Sequence, residues 1–211
     1  MARDVICISR ARGARGDEVG ARVAERLGFR YVDEEIVAQA AAKGGISPAD
    51  VADEERRKSA LSRLLQEIGR SVATDSYGIT GMARAESATS EEIRGLILAA
   101  IEETAAHGNV VIVAHAASFA LPRTSNALRV FVTASSEDRT QHLSDSLGLD
   151  AETAQKAIKE SDSARADYLR RFYSVESEQP THYDLVVNTG SLGVEQAAEL
   201  VVFAAAETPS A

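Results

Sequence analysis

The chain is poor in cysteine, in positive charge and in long apolar runs. Each shortage closes off a class of function. Cys7 is the only cysteine of 211 residues. A disulfide framework within one chain is excluded, and a reducing compartment is expected. Cys7 lies inside an apolar run and reads as a buried filler. The excess of acids, 32 against 23 bases, gives a net charge of -9. Broad nucleic-acid binding needs a positive field and is not expected. No apolar run approaches the roughly 20 residues that span a bilayer. The first ten residues, MARDVICISR, carry no secretory pattern. The expectation is a soluble cytoplasmic protein that binds neither membrane nor nucleic acid. His107, His115, His142 and His182 have no metal-ligand spacing, so no metal site is expected.

What remains is a pattern of short apolar runs alternating with helical periodicity. Five runs read as strands: Val5–Ser9, Tyr31–Val32, Val110–Ala114, Leu128–Thr133 and Leu185–Asn188. Helices are expected over Asp17–Leu27, Glu34–Lys43, Ser59–Thr74, Ser90–His107, Glu137–Leu147, Ala151–Phe172 and Val194–Ala206. Alternation of this kind predicts an α/β fold with a parallel sheet covered on both faces. The three most apolar runs belong at its centre, with Val5–Ser9 in the middle. Two stretches break the alternation, residues 34–92 and residues 151–182. Thr74–Ser90 is small, polar and contains Gly78 and Gly81, so it reads as a mobile loop.

The first strand, loop and helix, VICISRARGARGDEVGARVAERLG, have the layout that opens phosphate-cradling proteins. Backbone N–H groups at a helix N-terminus attract anions, and glycines let them approach. The full pattern G-x-x-x-x-G-K-[ST] adds a lysine for the terminal phosphates and a hydroxyl for magnesium. Here Gly13, Ala14, Arg15 and Gly16 are followed by Asp17 and Glu18. Neither the lysine nor the hydroxyl is present. The two acids favour the helix end but repel phosphate. Arg10, Arg12 and Arg15 supply the opposite charge and can each grip phosphate. From these residues alone, an anion site and a plain strand-to-helix turn both remain open.

The stretch from Ile6 to Val37 resembles the start of the cytidylate kinase-like family, which usually reads ISR-x-x-GSGGREI and then YYD-x-E-[IL]. Ser9, Arg10, Gly13, Gly16, Glu18, Gly20, Leu27, Gly28, Tyr31, Asp33 and Glu35 carry the likeness. It resumes at VVIVAHAASFAL, LRVFVTASSEDR, KESDSARADYLRRFY and YDLVVNTGSLGVEQAAELV. The resemblance implies a three-layer P-loop kinase fold, with a five-stranded parallel sheet in order 2-3-1-4-5. It divides one domain into a core (1–33, 93–141 and 182–211), a helical acceptor-binding insert (34–92) and a helical lid (142–181). It implies Mg2+ and ATP as cofactors and transfer of a phosphoryl group to a nucleoside monophosphate or similar small acceptor.

Site roles follow residue by residue. Arg12, Gly13, Ala14, Gly16, Asp17, Glu18 and Arg139 would bind the nucleotide. Arg15, Arg165 and Arg171 would act on the transferred phosphoryl group, the last two from the lid. Asp33 and His115 would hold the acceptor. Several of these have plainer readings. On those readings Arg139 is a solvated arginine paired with Glu137 or Asp138, the lid's basic residues are a solvent face, and Asp33 is a helix N-cap.

Three departures from the family pattern fall on the chemistry. Arg15 stands for a loop glycine, Asp17 for an arginine, and Ala114-His115-Ala116 for Gly-Arg-Gly. Two cationic contacts to phosphate are thereby lost, and phosphoryl transfer depends chiefly on such contacts. A second reading is therefore a nucleotide-sensing or interaction protein that kept the fold and lost catalysis. A third is a subunit whose polar segment, residues 58–92, contacts another copy or a partner protein.

Overall fold

β1 (Val5–Arg10) is buried over nearly its whole length and pairs in parallel with strands on both sides. The computed structural model describes residues 3–33, 43–45, 90–114, 116–123 and 126–206. The helix expected over Ser59–Thr74, nearly all of that expected over Glu34–Lys43, all but Ser90 of the loop expected over Thr74–Ser90, nearly all of the segment 58–92 expected to contact a partner, and His115 lie outside these residues.

The chain runs from β1 into α1 (Gly16–Leu27) and β2 (Arg30–Val32). Among the described residues there follow α2 (Ser90–Ala106), β3 (Val110–Val113), the single-turn α3 (Ala117–Ala120) and β4 (Ala127–Thr133). α4 (Ser136–Leu147), α5 (Ala151–Tyr173), a 3-10 turn (Pro180–His182), β5 (Leu185–Asn188) and α6 (Val194–Ala206) complete it. All strand pairs are parallel and the order is β2-β3-β1-β4-β5. The expected fold class, order and central position of β1 are all found. α3 and the 3-10 turn are additions that their short, weakly periodic sequences do not announce.

The period-two alternation of β1 divides the core. Ile6 and Ile8 face α1 and α6, packing with Val19, Val23, Ala198 and Val201. Val5 and Cys7 face the other way, toward Ile97 and Ile101 of α2 and Ala117 of α3. Burying each such isoleucine or valine contributes about 1.5–3 kcal/mol, so β1 is held from both faces. Burial pushes the Cys7 thiol up to about 12, against a smaller opposing effect of the Arg129 charge. Cys7 is thus an inert core residue, as the sequence suggests. A small polar knot ties the sheet to α3. Ser9 Oγ lies 3.0 Å from Ser118 Oγ, which can donate to the Cys7 and Val130 carbonyls at 3.2 Å.

α1 fits against the sheet only because residue 20 is glycine. A Cβ there would lie 2.6 Å from Val113 Cγ2 and 3.2 Å from Tyr31 Cε2. The branched Val113 side chain has little freedom to move aside. Gly20→Ala is expected to destabilise the protein by about 1–3 kcal/mol, measured by urea unfolding. An unchanged midpoint would show that α1 is not seated this closely.

Candidate functional site

The C-terminal end of β1 delivers the loop Ala11–Arg15 to the middle of the sheet edge, where parallel α/β sheets bind ligands. The loop is pinned by one bond within it and two to distant parts of the chain. Ala11 N–H donates to the Val132 carbonyl (3.0 Å), Ala14 N–H to the Ala11 carbonyl (3.0 Å), and Thr189 Oγ1 to the Ala14 carbonyl (2.8 Å). Gly13 has φ +83°, and Arg15, the residue before α1, has φ +58°. Glycine is required at 13, because a Cβ would sit 2.7 Å from the Arg139 carbonyl oxygen. Arg15 holds the same left-handed conformation where the family has glycine. It does so at a local cost of about 1–2 kcal/mol.

Among the described residues, the N–H groups of Arg12, Gly13, Arg15, Gly16, Asp17 and Glu18 meet no acceptor. Left-handed residues within such a run curve the backbone into a concavity of donors, a nest that fits an anion. The backbone geometry of a phosphate cradle is therefore present, although the lysine is not.

The side chains tell a different story about charge. Arg10 Nε donates to Asp17 Oδ2 at 2.8 Å. Its Nη1 is buried and unpartnered, and its stem packs over Gly16. Arg15 forms a two-pronged pair with Glu18, at 2.9 and 2.8 Å. Hydrogen bonding to Arg15, then the Arg15 charge, with help from His142 and Arg22, holds the Glu18 carboxyl below its ordinary range. Two of the three loop arginines are thus neutralised by the two acids that follow. Among the described residues, Arg12 is exposed and has no side-chain partner. Both Glu18 oxygens accept from Arg15, so Glu18 is not set up as a magnesium ligand. No group of three or more acids, histidines or cysteines among the described residues could hold a metal ion.

Arg139 is neither solvated nor paired with Glu137 or Asp138. It is buried, donating from Nε to the Arg12 carbonyl (2.8 Å) and from Nη2 to Asp162 Oδ1 of α5 (2.7 Å). Asp138 instead pairs with the cap residue Ser135. Asp162 was not expected at the site. It is 23 residues away in the chain, on a different helix, and no local spacing marks it.

Arg165 faces inward on α5 beside Tyr168 and Leu169. Its guanidinium is enclosed. It makes a two-pronged pair with Glu178 (3.0 and 2.6 Å), donates to the Tyr183 hydroxyl at 2.9 Å, and lies over the Phe131 ring. Its charge is spent inside the protein rather than offered to a ligand. Arg171 is exposed at the end of α5, its guanidinium 4.4 Å from the centre of the Phe172 ring. At the β2 end, Asp33 accepts a hydrogen bond from Tyr31 at 3.2 Å. Asp33 stands with the loop at the strand ends, but Arg165 does not join them.

Burial alone would raise the Glu178 carboxyl. The hydrogen bonds and charge of Arg165, with the Tyr183 hydroxyl, outweigh it and hold the group below its usual range. A depressed carboxylate contributes stability that is full above its unfolded value and fades as pH falls through the folded one. Acid should therefore weaken the junction between α5 and the segment before β5 below about pH 4, the ordinary glutamate range. Glu178→Gln is expected to lower stability at pH 7 and to flatten the acid limb of a melting-temperature profile. An acid limb identical to that of the unaltered protein would remove Glu178 from this role.

The fold has precedents among solved structures. An uncharacterised protein from Eubacterium ventriosum superposes with a TM-score of 0.65 at 17% identity, with 97% of this chain and 99% of that one covered. Shikimate kinase from Bacteroides thetaiotaomicron gives a TM-score of 0.50 at 15% identity, with 93% and 95% covered. At such identities the likeness concerns the fold alone. No curated protein matches the chain in sequence. The sequence pattern of the cytidylate kinase-like family, however, matches residues 5–191, from the first strand through the loop, α4, α5 and the last strand. A match of that extent, on a sheet of order 2-3-1-4-5 with a glycine-bearing loop at its centre, establishes that the chain belongs to the cytidylate kinase-like family.

Proposed function

We propose that the protein binds a nucleoside triphosphate at Arg12–Glu18 and passes a phosphoryl group from ATP to a nucleoside monophosphate or similar small acceptor, slowly. The observation that carries this reading is the run of unpartnered N–H groups around Gly13 and Arg15, with arginines at 10, 12 and 15. Phosphate oxygens would take the N–H groups, and Arg12 is free to reach them. In this reading residues 34–92 hold the acceptor, with Asp33 at their base, and residues 142–181 form the lid, with Arg171 the exposed lid arginine. Magnesium would arrive on the nucleotide, since the loop supplies no ready ligand. A reaction that draws on ATP, and a lone buried cysteine, fit the cytoplasm.

The pairs Arg10–Asp17 and Arg15–Glu18 favour a second reading, nucleotide binding without turnover. Both pairs are partly exposed, so each is a weak latch. Exposed pairs are worth about 0–1 kcal/mol, and a polyphosphate can compete for the arginines. The cost falls on affinity for the ground state and on charge stabilisation in the transition state alike.

The test is calorimetric titration with Mg-ATP at low salt, where charge effects are largest, joined to an assay of phosphoryl transfer to nucleoside monophosphates. The unaltered protein should bind Mg-ATP weakly, at about high micromolar Kd, and turn over slowly. Asp17→Arg removes a repulsive charge, releases Arg10 and adds a cation. It should tighten Mg-ATP binding by roughly 5- to 150-fold. Tight binding by the unaltered protein, or an Asp17→Arg variant with the same affinity, would overturn this account. Binding without detectable transfer to any monophosphate would select the second reading.

A further inference from the structure

We infer that Arg139 is a positioning residue that aims the loop's donors, rather than a residue that touches the nucleotide. The inference rests on the nucleotide-binding reading of the loop. Its premise is the geometry of a single peptide group. Arg139 Nε donates to the Arg12 carbonyl at 2.8 Å. A trans peptide is planar, so the carbonyl of residue 12 and the N–H of residue 13 point in opposite directions. Holding the Arg12 carbonyl outward, on Arg139, fixes the Gly13 N–H on the inner side of the loop, where it meets no acceptor.

Two further contacts make Arg139 a rigid support. Gly13 packs against the Arg139 backbone so closely that only glycine fits, with φ +83°. Loop conformation and helix α4 are therefore in register at this point. The far end of the guanidinium is held by Asp162 of α5 at 2.7 Å. Arg139 is 7% exposed. One side chain thus connects the loop, α4 and the lid helix α5. When α5 moves, Asp162 moves with it, and the hold on the Arg12 carbonyl tightens or loosens. Lid position and the aim of the Gly13 N–H are then coupled through a short chain of charge-assisted hydrogen bonds, which are the stronger kind.

The alternative is direct contact between Arg139 and phosphate or adenine. The two predict opposite signs for a change at Asp162. If Arg139 bound the nucleotide itself, Asp162→Asn would release a neutralising charge and tighten binding. If Arg139 positions the loop, Asp162→Asn loosens its hold and weakens binding.

The experiment titrates Mg-ATP and inorganic triphosphate by calorimetry into the unaltered protein, Arg139→Gln, Arg139→Lys and Asp162→Asn. Backbone amide spectra of each protein are recorded without ligand. Arg139→Gln should weaken both ligands by about tenfold. Arg139→Lys, with one donor group where there were two directions, should recover part of the loss. Asp162→Asn should weaken both ligands less than Arg139→Gln does. In the ligand-free spectra the Gly13 amide should shift in Arg139→Gln more than the neighbouring α1 amides, a local change that a general loss of stability does not produce. Tighter binding by Asp162→Asn would overturn the proposal in favour of direct contact. So would an unmoved Gly13 amide in Arg139→Gln, or an Arg139→Gln variant that loses ATP but keeps triphosphate. If the unaltered protein binds neither ligand, the nucleotide reading fails, and the Gly13 amide still decides whether Arg139 holds the loop.

Discussion

Burial of β1 on both faces is the constraint from which the rest follows. A strand sandwiched between two helical layers must be apolar on every residue, and Val5 to Ile8 meet that requirement. With parallel partners on both edges, its C-terminus can only open at the centre of the sheet's ligand-binding edge. The loop that follows inherits that place whatever its side chains are. Its backbone is then shaped by neighbours from distant parts of the chain: Val132, Thr189 and Arg139. The cradle is a property of the packed core before it is a property of the loop.

That separation of backbone from charge explains the mixed character of the site. The unpaired N–H groups are what an anion needs, and they survive replacement of the family's loop residues because main-chain geometry tolerates many side chains. The charges do not survive in the same way. Asp17 takes up the guanidinium of Arg10, which reaches it across the loop from the end of β1, and Glu18 takes up that of Arg15, three positions before it. The site keeps its shape and loses much of its field. In a reaction that depends on positive charge around a transferred phosphoryl group, this is the change with the largest expected effect.

Arginine is used here in three distinct ways. At Arg10 and Arg15 it forms partly exposed pairs with Asp17 and Glu18. At Arg139 it links the loop to α5 through a main-chain carbonyl and Asp162. At Arg165 it is sealed between Glu178, Tyr183 and Phe131, anchoring α5 to the segment before β5. In a buried pair of this kind, removing one partner leaves an uncompensated charge. Arg165 therefore belongs to the frame that holds α5, whereas Arg171 is exposed near the end of that helix.

The sequence by itself determined the fold class, the strand order through the family likeness, and the boundaries of nearly every described element. Leu185–Asn188 and Val194–Ala206 coincide with β5 and α6, because strong apolar periodicity is a local signal. It also located the loop and named its residues. Only the tertiary structure decided what those residues touch. Whether Arg139 met solvent, Glu137 or a nucleotide was open in one dimension. Its real partners are the Arg12 carbonyl and Asp162, 127 and 23 positions away. The sequence offered Arg165 to a phosphate or to solvent, and its enclosure by Glu178 and Tyr183 was not legible, since a turn and a strand entry bring those groups back. Periodicity records which face of an element is apolar. It does not record which polar group from another element will arrive to meet a buried charge, and at this site that encounter sets the role of each arginine.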